Sequence, residues 1–294
     1  MLGWRFILCC FWLLSLQYMS GQDSLGYSPE NGQVFLIEQS VVQSFDQQIG
    51  ETQNHIDTET GGLMEFKVIM VTDSLLSFQT TFKQLYLKIA IGEQTLLDID
   101  TMSFGESDPQ LEMFRCVLDK PIQVEMATNG KIVKVSNEHD FISEMIAVSG
   151  LTDNEVKSKL SESLGEKFGA EALARSFEQF TFIYPDRAVA IGDQWETHIT
   201  GKANIENQWV YTAKDGENIS IQGEGVAHMD LTEGTGKVEL DGTQTVHVKC
   251  CPKSGFIKNM TIEGDFEGHS SIPELGEEEF PTAMHQTIVY KLIQ

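Results

Sequence analysis

Residues 205–231 read IENQWVYTAKDGENISIQGEGVAHMDL. Ile205, Asn207, Trp209 and Tyr211 alternate with Glu206, Gln208 and Thr212, and Ile219, Ile221, Gly223, Gly225, Ala227, Met229 and Leu231 take every second position further on. A period of two marks a strand with one dry and one wet face. Moving outward, Val238 and Leu240 lead into Val246, Val248 and Cys250, opposite Thr245, His247 and Lys249. Lys253-Ser254-Gly255 turns the chain into Phe256, Lys258, Met260 and Ile262, and Ile288, Tyr290 and Leu292 close it. Long strands joined by short turns predict an antiparallel meander. Gly223, Gly225, Gly234, Gly236 and Gly242 lie in or beside these strands, where glycine permits the bends and bulges that let a sheet curl.

The first half is also strand-like from Val34. Glu51–Asp57, Met64–Val71, Leu76–Ile91 and Thr95–Ile99 are rich in β-branched and aromatic residues. Asp108-Pro109 predicts a helix opening, with Leu111, Phe114 and Leu118 at helical spacing. Thr128-Asn129-Gly130-Lys131 between two apolar runs predicts a hairpin, Asn and Gly both accepting positive φ. The middle, about 137–180, is helical. Phe141, Met145 and Val148, with Ile142 and Ile146 beside them, form one apolar face that Gly150 ends. Thr152 and Glu155 read as a capping box opening a second helix through Val156, Leu160 and Leu164. Gly165 then separates a third helix with Phe168, Ala172, Leu173 and Phe177 on one side. Amphipathic helices must dock on something apolar. The expected fold is α+β and mostly antiparallel β: a curved sheet or half-barrel whose concave face is packed by the central helical segment. Open twisted and two-sheet arrangements are the alternatives.

The 294 residues carry 20 Lys plus Arg against 44 Asp plus Glu, a formal net charge of −24. Such a surface repels phosphate backbones, so nucleic acid is not an expected partner. Residues 1–21 read as a secretory signal. Arg5 precedes the apolar stretch Phe6–Leu16, and small Ser20 and Gly21 stand before Gln22. The stretch falls short of the about 20 apolar residues of a membrane span, and no later stretch supplies one. A secreted or periplasmic protein is expected, cleaved after Gly21 or Ser20. A lipid anchor through Cys9 or Cys10 is not, because the apolar run continues past them. Residues 22–33 read as a loose leader, and 34–294 as a single β-rich domain. Cys116, Cys250 and Cys251 remain, and two states are open for them: one disulfide from Cys116 to the Cys250/Cys251 pair, or buried free thiols.

YPDRAVAIGDQWET, residues 184–197, breaks the pattern. Pro185 cannot pair inside a ladder, Gly192-Asp193 makes a tight turn, and Trp195 enters a strand as an anchor. The stretch reads as structural punctuation rather than as a catalytic site. Pro185, Val189, Gly192, Asp193 and Trp195 also resemble the late motif of a secreted bacterial family, domain of unknown function 6263. Asn129 to Val135 followed by a helix is similar to that family's centre. Ser20-Gly21-Gln22 departs from the more usual Ala-Gln at the signal's end. The resemblance implies an exported or envelope protein of Bacteroidota type, and no activity.

Chemical motifs are missing. Gly268-His269-Ser270-Ser271-Ile272 lacks the second glycine of a nucleophile elbow. Gly223-Glu224-Gly225 and Gly234-Thr235-Gly236 lie in β text without the helix a nucleotide loop requires. Asp98-Ile99-Asp100 lacks the glycine and closing glutamate of a calcium loop. No catalytic, cofactor or metal residue is assigned, and no cofactor is expected. Trp209, Tyr211, Met229 and Met260 are instead the candidates to line a cavity for a lipid or other apolar ligand, the alternative for each being a place in a solid core. The first functional reading is therefore a non-enzymatic binding module of the cell envelope. The second is a structural or interaction protein with an envelope protein as its partner, and the third a hydrolase built from dispersed carboxylates.

Overall fold

The computed structural model describes residues 21–103, 108–137, 139–233, 236–271 and 279–293, without the side chains of 232 and 233. The signal segment with Cys9 and Cys10, Gly234 and most of the run Glu274–Glu279 lie outside them.

Among the described residues, twelve antiparallel strands form one open sheet. They are β1 (Val34–Ile49), β2 (Thr52–Val71), β3 (Leu75–Ile91), β4 (Gln94–Asp100), β5 (Ile122–Ala127), β6 (Ile132–Asn137), β7 (Gln194–Ile199), β8 (Ala203–Lys214), β9 (Ile219–Glu233), β10 (Gly236–Cys250), β11 (Ile257–Ser271) and β12 (Glu279–Leu292). Their order is β6-β5-β3-β2-β1-β12-β11-β10-β9-β8-β7, with β4 also paired to β3. The pairing of β1 with β12, from Ile37↔Leu292 to Gln47↔Thr282, fuses the early and late strands into one surface.

Strict alternation sorts the two faces, as the sequence predicted. In β8, Ile205, Asn207, Trp209 and Tyr211 are buried while Glu206 and Gln208 are exposed. The glycines act otherwise than expected. Register slips fall near Leu63, Val68, Ile89, Glu125, Tyr211 and Lys249, none of them at the glycines that were to bend the sheet. Gly223 and Gly242 instead admit bulky neighbours. A Cβ at Gly223 would stand 2.7 Å from the Trp209 ring, and one at Gly242 would stand 2.5 Å from that of Phe266.

The helices are α1 (Pro109–Arg115), α2 (Phe141–Val148), α3 (Asn154–Phe168) and α4 (Ala170–Thr181). Asp108 caps α1, accepting from Gln110 N at 2.8 Å. Asp153, not Thr152, caps α3, accepting from Glu155 N and Val156 N at 2.8 and 3.0 Å. Its carboxylate is the stronger acceptor at a positive helix end. The break between α3 and α4 comes at Gly169 rather than Gly165, and α3 runs straight through Gly165. Phe141, Met145 and Phe177 are buried, but Val148 and Val156 are exposed. α4 lies on the concave face: Phe177 and Phe180 meet Phe66 of β2 edge to face, and Phe180 stacks on Tyr290 of β12 at 4.6 Å.

A knot of long-range bonds holds this roof down. Gly130 alone supplies the positive φ of its hairpin, at +97°. A Cβ there would fall 1.7 Å from Thr181 O, and Thr181 Oγ1 donates to Gly130 O at 2.7 Å. Tyr27 Oη donates to Thr181 O at 3.0 Å. The leader is thus not loose. Leu25 and Tyr27 are buried, and Asp23 and Val189 bond to each other in both directions through their backbones. Cys116, Cys250 and Cys251 are free thiols, and burial pushes the Cys250 thiol up to about 12.

Candidate functional site

The 184–197 stretch does the structural work its sequence suggested. Gly192 takes φ +96°, Asp193 Oδ2 accepts from Ala190 N at 3.0 Å, and Trp195 Nε1 donates to Ile183 O at 3.0 Å. The turn spends its polar groups on its own backbone.

The chemistry lies on the concave face. Cross-strand registers align Thr197, Asn207, Gly225, Gln244, Gly264, Gln286, Gln43 and Thr58 as successive partners from β7 to β2. Hydroxyls, carboxamides and glycines make up this belt. The row two residues to one side is Trp195, Trp209, Gly223, Val246, Ile262, Ile288 and Val41. The row on the other side is Ile199, Ile205, Ala227, Gly242, Phe266, Met284 and Phe45. An uncharged polar band therefore crosses a sheet that is apolar above and below it.

A cavity of about 220 Å³ opens on this band. Val41 and Gln43 of β1, Ile205 and Asn207 of β8, Gln244 of β10, Gln286 of β12 and Gln179 of α4 all line it. β1 and β7 stand six places apart in the sheet order, about 29 Å if the sheet were flat. Ile199 of β7 nevertheless lines the same void as Val41 of β1, so the sheet is rolled and α4 roofs the roll. The lining includes no charged side chain.

The amides use little of their bonding capacity on the protein. Gln244 Nε2 donates to Asn207 Oδ1 at 2.9 Å, and Gln43 Nε2 to Gln286 Oε1 at 3.4 Å. Asn207, Gln244 and Gln286 are only 4%, 6% and 5% exposed. Among the described residues, Asn207 Nδ2, Gln244 Oε1 and Gln286 Nε2 bond to no protein group and stay open to water, on residues that line the cavity. Gly225 makes room for the belt amides, since a Cβ there would lie 2.3 Å from Asn207 Oδ1 and 3.0 Å from Gln244 Cγ.

Of the residues the sequence proposed as ligand contacts, Met229 lines this cavity. Trp209, Tyr211 and Met260 sit in the main core at 1%, 0% and 1% exposure and do not line it. Their polar atoms are already engaged: Trp209 Nε1 donates to Thr197 Oγ1 at 2.8 Å, and Tyr211 Oη to Asp23 Oδ2 at 2.7 Å. The amides at 43, 179, 244 and 286 were not singled out. Their signal is a neutral amide where the alternation calls for an apolar residue, as in Met284-His285-Gln286-Thr287-Ile288.

On the convex face a groove of about 510 Å³ is lined by Glu196, Glu206, Glu224 and His198. All four side chains are exposed, so nothing withdraws these carboxylates from water as a general acid would require. Among the described residues, no group of three or more His, Cys, Asp or Glu could hold a metal ion. No helix among them is long and apolar enough to cross a membrane.

The molecule is thus a rolled, open antiparallel sheet with a helical roof and a lumen lined by uncharged groups. The sequence model of a family of unknown function, DUF6263, matches residues 73–257, and the chain belongs to that family. No curated protein matches it. Among solved structures it is similar to one titled "Lipid-protein interactions in lipovitellin", with 9% identity and a TM-score of 0.50, over 90% of this chain and 25% of that one. This chain therefore spans about a quarter of that protein's length, and at this identity the likeness is one of fold. It is also similar to the translocator domain of the autotransporter NalP from Neisseria meningitidis, with 7% identity and a TM-score of 0.21, over 90% of this chain and 89% of that one.

Proposed function

We propose that this protein is an exported, non-enzymatic carrier that holds a lipid or other apolar ligand in the lumen of its rolled sheet. The observation that carries the reading is the cavity itself. It is roofed by α4, walled by strands from both sides of the sheet, and lined by aliphatic side chains and uncharged amides. Ligand sites are concave and mostly apolar, with a few polar groups that fix orientation. The fold likeness to a lipovitellin structure titled for its lipid–protein interactions supports the same reading. The amino-terminal segment, with Arg5 before Phe6–Leu16, supports export to a periplasmic or extracellular space of a bacterial cell.

The test is to purify the full-length product from its host without detergent, extract it with organic solvent and weigh what comes off. A stoichiometric apolar compound is expected. Repeated preparations that yield none, together with a lumen that takes up no apolar probe, would leave the scaffold reading in its place. Amino-terminal sequencing of the same material is expected to begin at Gln22 or Gly21.

A further inference from the structure

The ligand's chemical class follows from what the lumen offers and what it lacks. Asn207 Nδ2, Gln244 Oε1 and Gln286 Nε2 form a pair of donors and an acceptor on residues at least nine-tenths buried, with no protein partner. These atoms are open to water, and a ligand that displaces water from them without replacing its hydrogen bonds loses affinity, as a bare hydrocarbon does. A charged headgroup meets the opposite difficulty. No cation lines the cavity to offset a carboxylate or phosphate, and no anion lines it to offset an amine. Burying an unpaired charge costs far more than burying a hydrogen-bonded neutral group. The chain's net charge of −24 adds a further penalty for anions.

Size settles where the rest of the ligand goes. At about 220 Å³ the void is smaller than the ~300–1,000 Å³ of a typical small-molecule site. It accommodates a polar group and the first few carbons. Beyond the belt, Phe45, Ile56 and Ile91 continue the inner wall as successive partners across β1, β2 and β3. Phe45 and Ile56 are half-buried and Ile91 is exposed, so this apolar row runs out to solvent.

We propose that the lumen selects an uncharged amphiphile. Its single hydroxyl, ester or amide group seats on Asn207, Gln244 and Gln286, and its hydrocarbon chain leaves along Phe45, Ile56 and Ile91. This rests on the carrier reading and narrows it. The seat distinguishes a fatty alcohol or acylglycerol from a fatty acid, a phospholipid or a plain hydrocarbon.

The experiment titrates the full-length protein with oleyl alcohol, oleate, oleylamine and octadecene by calorimetry, the four sharing one chain length. The alcohol is expected to bind about tenfold or more tightly than the other three, a difference of about 1.4 kcal/mol. Gln286→Glu places an anion on the belt and is expected to shift the preference to oleylamine. The Asn207→Leu/Gln244→Leu double variant is expected to bind alcohol and octadecene equally, and it serves if the charged variant does not fold. Equal binding of all four by the unaltered protein would overturn the polar seat while leaving the carrier standing. Binding of none would overturn the carrier, and the seat with it.

Discussion

Two neighbouring positions on the same pair of strands end up as opposite kinds of interior. Trp209 stands across from Gly223, and two residues along, Asn207 stands across from Gly225. In both, a glycine leaves a hole in the concave face of β9. The indole fills the first, its ring atoms 2.7 Å from where a Cβ would stand. The Asn207 carboxamide fills the second, its Oδ1 2.3 Å from where a Cβ would stand, and the cavity is lined by the amide itself. A glycine on an inward-facing strand position is no void in itself. Its cross-strand partner takes the space, and that partner's chemistry decides whether the wall there is dry core or polar lining.

The strongest way to break this contrast is to empty the hole that the indole fills. Trp209→Ala is expected to destabilise the fold by about 3–5 kcal/mol in equilibrium denaturation. It removes the indole from the core, reopens the space at Gly223 and strips the Thr197 hydroxyl of its donor at 2.8 Å. An Asn207→Ala loss of similar size would mean that the belt is packed as tightly as the core, and the contrast would vanish.

The roof offers a second handle, because the lumen exists only while α4 stays seated. Gly130→Ala forces a side chain into positive φ and its Cβ to within 1.7 Å of Thr181 O. A loss of about 2 kcal/mol is expected from backbone strain alone, with apolar probe binding impaired more than the strand signal in circular dichroism. Unchanged stability would show that the hairpin and α4 part without cost.

Acid should act on the leader more gently. The hydrogen bond from Lys214, then that from Tyr211, holds the Asp23 carboxyl below its usual value of 3.8. A folded-state pKa that is depressed contributes stability fully present above the unfolded value and lost as pH falls through the folded one. Between about pH 5 and about pH 2, the exchange protection factors of the Asp23 and Val189 amides, each taken against its intrinsic rate, are therefore expected to fall before those of the central strands. Asp23→Asn should show the lower protection already at neutral pH. A uniform fall along the whole chain would mean that the leader is not a separate unit.

The fold was far more legible than the site. Period-two alternation in β8 to β12 names each residue's face directly, because a strand buried on one side has no other way to be written. Phe141, Met145 and Phe177 likewise announced the roof. The details that failed were local competitions. Asp153 displaced Thr152 as a cap, and Val148 and Val156 stay exposed on helix faces that were expected to be buried. Among the proposed contacts, large side chains drew attention, yet size favours filling a core, and Trp209, Tyr211 and Met260 do that. The cavity belongs to residues that interrupt the apolar pattern without carrying charge. Gln43 stands between Val41 and Phe45, Asn207 between Ile205 and Trp209, and Gln286 between Met284 and Ile288. In one strand such an interruption is unremarked. Only the registers show that the interruptions fall in a single row.

The belt itself gives the smallest expected change in stability and the sharpest test of the contrast. Asn207→Leu alone leaves Gln244 Nε2 without its acceptor in a residue 6% exposed, and a buried donor left unpaired costs about 1–3 kcal/mol. Exchanging both members for leucine removes that penalty, since replacing both partners of a buried pair by apolar groups is nearly neutral. The bulkier methyl groups that replace the amide atoms also have a void of about 220 Å³ beside them, where a solid core would have to strain. The double variant should therefore unfold within about 1 kcal/mol of the parent, and each single variant below both. That pattern, a double substitution milder than its parts, is what a hollow polar belt predicts. Additive losses would instead mark the amides as structural members of a filled interior, and Asn207 would then differ from Trp209 only in degree.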